Sequence, residues 1–143
     1  MELLQRLSRR QVEALRAVGR CQSAHQGASL KSVAGHLSVS SPSALDHLTS
    51  LESFGLVVRY RGKSRLTPRG ETCLLEYQRH HRVAENLFQQ LGFSADETHH
   101  AALEVDLALS HRTVDRLCRA SGHPDSCPHG EPILPCAEQS RGR

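Results

Sequence analysis

Apolar residues recur three apart at Val12, Leu15 and Val18 in the segment from Ser8 to Arg20, which predicts an amphipathic helix. The run CQSAHQGAS then breaks the period. A short helix follows from Ser29, with Leu30, Val33, Ala34 and Leu37 on one side, and SVSS reads as a tight turn. A third helix is predicted from about Ser41 to Phe54. Its apolar face is Leu45, Leu48 and Leu51, its start holds serines and Pro42, and Gly55 lies just past its end. Beyond Gly55 the segments GLVVRYR and SRLTP predict two short strands, with Gly62-Lys63 as the hairpin tip. Three helices and a hairpin in this order make a winged helix-turn-helix over residues 1–70.

From Glu71 the pattern returns to helical spacing. Leu74, Leu75, Val83, Leu87, Phe88 and Leu91 predict a long helix, followed by two shorter ones up to about residue 121. Residues 122–143 are rich in turn formers and read as a tail. The expected fold class is therefore mainly α: a winged helix-turn-helix with a β-hairpin wing, then a helical domain. Three helices with so few aromatic residues make a thin core, and a self-complementary helical interface would bury what is left over. A homodimer is expected.

Composition narrows the setting. In 143 residues, 38% are hydrophobic and 23% charged, ordinary for a soluble protein. No apolar run approaches the roughly 20 residues that span a bilayer, and MELLQRLSRR lacks the apolar core of a signal peptide. A cytoplasmic location without a membrane partner is expected. The five cysteines are odd in number and scattered, which argues against a disulfide framework. Cys21, Cys73 and Cys118 fall in apolar helical patterns and are expected to be small core residues.

Charge is uneven. Up to Gly70 there are eleven Lys/Arg against four Asp/Glu; from Glu71 there are seven against eleven. The first half is thus the candidate polyanion binder, and double-stranded DNA is the expected partner. In a helix-turn-helix the second helix of the pair enters the major groove by its N-terminal end. Ser40, Ser41, Pro42 and Ser43 give that end a small, hydroxyl-rich surface, and Asp46 and His47 lie one turn in, within reach of bases. The wing carries Arg59, Arg61, Lys63 and Arg65, which strand alternation would put on one face.

His81 and Glu85 stand four apart on the long helix, a spacing that serves an intrahelical ion pair or a shared cation. Cys127, His129 and Cys136 are soft and borderline ligands in the tail. Their spacing is not a standard zinc pattern, so a structural turn at CPHG stands beside the metal reading. There is no HExxH, no nucleophile elbow and no phosphate loop, and no enzyme is expected.

Taken in order, LTPRGE, HHRVAE, ALSHRTVDRL and CPHGEPI resemble the iron-dependent repressor family, which includes the diphtheria toxin repressor and manganese transport regulators. The likeness runs from about Ser8 to Pro135, a short form without the family's SH3-like domain. It implies a dimeric repressor of metal-uptake genes that binds a palindromic operator when a divalent ion is bound. By the same resemblance His81, Glu85 and His99 are metal ligands; Asp106, which aligns with the family's other site, and Cys127, His129 and Cys136, read from the tail's own chemistry, are weaker candidates. Fe(II) or Mn(II) is favoured, and Zn(II) or Ni(II) is compatible. The family's other site aligns with Arg10, Leu103, Asp106 and Leu107, where two leucines cannot bind a cation. That departure suggests an Arg10–Asp106 salt bridge in place of an ion. The alternative function is then a winged-helix regulator without metal gating, or one switched by cysteine redox or iron–sulfur chemistry.

Overall fold

The structure, a computed structural model, describes residues 1–142, apart from the side chains of residues 23–25. In chain order the elements are α1 (Leu3–Arg6), α2 (Arg9–His25), β1 (Ala28–Ser29), α3 (Leu30–Leu37), α4 (Ser41–Ser53), β2 (Val57–Tyr60), β3 (Lys63–Leu66), α5 (Pro68–Gln90), α6 (Ala95–Val105), α7 (His111–Ala120) and α8 (Ala137–Arg141). They form two compact units. One is Leu7–Leu75; the other joins Met1–Arg6 to the residues from Glu76 onward, so the division falls inside α5. None of the described helices is long and apolar enough to cross a membrane.

In the first unit, hydroxyl caps start the helices. Ser8 and Gln11 close a capping box on α2, Ser29 Oγ accepts from Ser32 N on α3, and Ser40 Oγ accepts from Ser43 N at 3.3 Å on α4. Helix α2 runs to His25, past the expected break, because no Gly or Pro interrupts QSAHQ; left-handed Gln26 ends it. Val12, Leu15, Val18, Val33, Leu48, Leu51 and Leu56 are buried and form the core.

The sheet has order β1-β3-β2, all antiparallel, and the two-residue β1 is an addition to the expected hairpin. Tyr60 pairs with Lys63, so the tip is Arg61-Gly62, one residue earlier than expected. Both tip residues have positive φ, 48° and 74°, as a type I′ turn requires. That register corrects the single basic face. Residues directly opposite on antiparallel strands share a face, and with a two-residue loop Arg65 lies opposite Val58 while Arg59 lies opposite Ser64. Lys63 and Arg65 are exposed beside Val58 and Tyr60, whereas Arg59 turns to the face of buried Ser64.

In the second unit Val83, Val114, Cys118, Cys127, Ile133 and Cys136 form one buried cluster. The tail is a folded part of it. Cys127 N donates to Glu131 O and Ile133 N to Asp125 O, both at 2.9 Å, closing a tight loop around Gly130. Arg82 Nη1 donates to Pro132 O at 2.7 Å and Arg79 Nε to Leu134 O at 3.1 Å, tying that loop to α5. Helix α6 begins with a reciprocal cap between Ser94 and Glu97. The Ser94 bonds also hold the Glu97 carboxyl below its ordinary range. The carboxylate is therefore ionised at neutral pH, and its contribution to the cap fades in acid as pH falls through that lowered pKa. Ser94→Ala is expected to cost about 1 kcal/mol in urea denaturation, with an unchanged m-value.

Candidate functional site

The long helix α5 places His81 and Glu85 one turn apart, and His99 comes from the second turn of α6. His81 Nε2 lies 3.1 Å from Glu85 Oε1 and 3.2 Å from His99 Nδ1. The other ring nitrogen of His81 faces Asp106 Oδ2 at 2.8 Å, and Asp106 is fully buried. With the ring proton on Nδ1, His81 donates to Asp106 Oδ2 and its Nε2 lone pair faces Glu85 and His99. Asp106 is the nearer of the two carboxylates that flank the ring and favours that tautomer. Arg10 pairs with Glu13 at 3.3 Å, so Arg10 and Asp106 each have a partner within their own unit.

The CPHG loop brings a second set of donors to the same carboxylate. Donor atoms of Glu85, Cys127 and His129 lie within 4.8 Å of one another, as do those of His81, Glu85 and His99. Glu85 belongs to both triads. Its Oε2 is buried and has no aligned hydrogen bond, although His129 Nδ1 is 2.7 Å away. A buried carboxylate oxygen facing an imidazole nitrogen off the hydrogen-bond direction is the arrangement expected when both are aimed at a cation. The His99 imidazole is held below its ordinary pKa, first by burial and then by His81 beside it, which keeps it neutral and able to ligate. These donors fit a divalent transition ion. Imidazole and carboxylate suit Fe(II), Mn(II), Ni(II) and Zn(II), and the Cys127 thiol moves the preference toward the softer of them.

Neighbouring His80 has a different setting. It is almost fully buried, with Nε2 2.6 Å from His111 Nδ1 and Nδ1 3.3 Å from the Asp106 carbonyl. Burial, reinforced by His111, pushes its pKa down to about 4. Helical rotation by one residue separates the two roles.

Two residues outside the expected set are also drawn into a ligand cluster. Cys118, expected as plain core, lies with Cys136 around His123. Cys136 thus falls in a different ligand triad from Cys127 and His129, although it shares a buried cluster with Cys127. Steps of five residues from Cys118 to His123 and thirteen from His123 to Cys136 match no familiar ligand spacing, so the pattern offers no signal.

In the first unit Ser40, Ser41, Pro42, Ser43 and Asp46 are exposed at the start of α4, and His47 is half-buried. Ser40 caps the helix, leaving Ser41 as the freer hydroxyl. Arg61, Lys63 and Arg65 are exposed on the wing, with the Arg61 guanidinium 5.2 Å from the Tyr60 ring centre.

Residues 67–135 match the metal-binding and dimerisation domain of iron-dependent repressors. That stretch, just under half of the chain, is therefore similar to the corresponding domain of the iron-dependent repressor family. Among solved structures, the chain is similar to a hypothetical protein of Sulfolobus solfataricus, SSo2273, at 26% identity and a TM-score of 0.83. That match covers 90% of this chain and 99% of the other. It is similar to T. acidophilum IdeR at 26% identity and TM-score 0.67, covering 89% of this chain and 59% of that one. It is likewise similar to a manganese-dependent transcriptional repressor solved with manganese, at 31% identity and TM-score 0.71, with 86% and 57% covered. The chain therefore spans less than two thirds of these last two proteins. No curated protein sequence matches it closely enough to count as a relative. The matched domain is described as metal-binding and dimerising, and the His81, Glu85 and His99 cluster lies within it.

Proposed function

We propose that this chain is a member of the iron-dependent repressor family, a metal-responsive transcriptional repressor that binds a palindromic operator as a homodimer and controls metal-ion homeostasis genes. The observation that carries the reading is the convergence of His81, Glu85 and His99 in the unit joined by α5 to a winged helix. His81, Glu85 and His99 would hold the ion, with Cys127 and His129 able to complete its coordination. When bound, the ion supplies the positive charge that the buried Glu85 carboxylate lacks. Asp106 orients His81 throughout. DNA affinity then rises by the ratio of the ion's affinities for the DNA-competent and incompetent arrangements, and by no more than that ratio.

The start of α4 would lie in the major groove, where Ser41, Ser43 and the free helix N–H groups donate to phosphates. Asp46 and His47 lie one turn further in. Exposed Leu91 and Phe93, next to half-buried Leu87 and Phe88 at the end of α5, leave an apolar surface suited to a second copy.

The test is fluorescence anisotropy of a labelled duplex from the gene's own upstream region. Chelator-stripped protein is titrated first, then repeated with Fe(II), Mn(II), Zn(II) and Ni(II). Binding that tightens only with metal supports the proposal; equal binding in all conditions overturns metal gating. In the same assay, alanine at Arg61, Lys63 and Arg65 together is expected to weaken binding to all sequences alike. The slope of log K against log salt should fall by about 0.9 for each phosphate that the wing no longer neutralises. An altered sequence preference at unchanged slope would contradict a phosphate-binding wing.

A further inference from the structure

The second unit carries a group of ligands that the His81 centre does not use. Cys118 lies in the last turn of α7 and Cys136 at the N-cap of α8, and both are almost fully buried. Between them in sequence, His123 follows Gly122, both with positive φ, and its N–H donates to the Cys118 carbonyl at 2.9 Å. This turn swings the imidazole back over the helix it has just left. Nδ1 of His123 comes to lie 3.6 Å from Cys118 Sγ and 3.5 Å from Cys136 Sγ. One imidazole nitrogen carries at most one proton and can serve only one sulfur well at a time.

The separations are informative. With Zn–S about 2.3 Å and Zn–N about 2.05 Å, a tetrahedral angle puts ligand sulfur and nitrogen about 3.6 Å apart. Both sulfur–nitrogen distances meet that value, and the three donor atoms all lie within 4.8 Å of one another. Cys136 also lines a cleft with Arg79, His80, His111 and Asp115, so one of the two sulfurs borders an opening at the surface. Two thiolates and an imidazole are a soft donor set, suited to Zn(II) and poorly matched to Mn(II).

We propose that Cys118, His123 and Cys136 form a second metal site, which takes Zn(II) and leaves its fourth position to water. The site does not depend on the regulatory reading. It clamps both ends of the stretch that contains Cys127 and His129, fixing the CPHG loop between α7 and α8.

The experiment is a Zn(II) titration of the full chain in reducing buffer by mass spectrometry and indicator competition, with Co(II) as a spectroscopic probe. Wild type is expected to bind two ions per chain and, with Co(II), to show the thiolate-to-metal charge-transfer band of a two-cysteine tetrahedral site. Cys118→Ser with Cys136→Ser should lose one ion and that band, while Cys127→Ser should retain the band. His123→Ala removes only a half-exposed ring and spares the core. It is expected to weaken Zn(II) at this site at least about tenfold. An unchanged Zn(II) stoichiometry in the Cys118→Ser, Cys136→Ser double variant, a band that follows Cys127, or an unchanged Zn(II) affinity in His123→Ala would overturn the proposal. None of these readouts uses DNA or Mn(II), so failure here is distinguishable from failure of metal-gated repression.

Discussion

Glu85→Gln is expected to remove the metal response while making the metal-free protein more resistant to heat. Both halves come from one carboxylate. Glu85 is 3% exposed and supplies a donor to each of the two triads, so its loss takes away the group they share. Replacing an outer partner of a metal ligand commonly costs ten- to a hundredfold in affinity; loss of a shared ligand should reach at least about a hundredfold. In the metal-free chain the same carboxylate is a liability, because a buried anion needs compensation and Oε2 has no aligned hydrogen bond. A neutral amide relieves that cost. Differential scanning calorimetry separates the two effects. Wild type at one hundred times its dissociation constant for Mn(II) should gain about 2.7 kcal/mol from the metal, and Glu85→Gln should gain at most about 0.4 kcal/mol from the same concentration. A variant that still shifts by the full amount would place the ion elsewhere. Asp106→Asn is the informative companion, since it keeps every direct ligand but weakens control of the His81 tautomer. Its expected loss of affinity is about tenfold.

The elements that were legible in the chain are those whose signal is local. Ser40, Pro42 and Gly55 marked both ends of α4, because caps act within a few residues of the backbone they satisfy. The His81–Glu85 pair was legible for the same reason, four residues being one helical turn. What escaped depended on register or on distant chain. The basic side chains of the wing divide between faces because the tip is two residues long, and the position of a tip shifts face assignment for a whole strand. The tail looked like loose turns, yet Ile133, Cys127 and Cys136 are buried with Val83 and Val114, partners that no short window contains. His123 sits among polar turn formers, and only the left-handed turn after α7 brings it to the two sulfurs.

The LTPRGE segment supports the second large prediction, that Gly70→Ala destabilises the winged-helix unit by about 3 kcal/mol. Three backbone requirements meet there. Thr67 N donates to the Leu56 carbonyl at 3.0 Å, Thr67 Oγ1 donates to the Gly55 carbonyl at 2.7 Å, and Gly70 N donates back to Thr67 Oγ1 at 3.0 Å. Pro68 opens α5 where its missing N–H costs nothing. These bonds draw the first turn of α5 onto the Leu56 backbone, and a Cβ on Gly70 would lie 2.0 Å from the Leu56 oxygen. That oxygen belongs to backbone already engaged by Thr67, so it cannot swing aside as a side-chain tip would. Either the Thr67 bond breaks or α5 lifts away from Leu56, just before β2. In an exposed helix the same exchange would stabilise by close to 1 kcal/mol through helix propensity, so the sign of the effect is itself diagnostic. The measurement is the urea midpoint of Gly70→Ala against Gly35→Ala, a helical glycine on α3 whose added Cβ meets nothing within 4 Å. The first should fall and the second should hold or rise. If Gly70→Ala holds as well, the packing of α5 on Leu56 is looser than its geometry requires, and the coupling of wing to long helix must run through Thr67 alone.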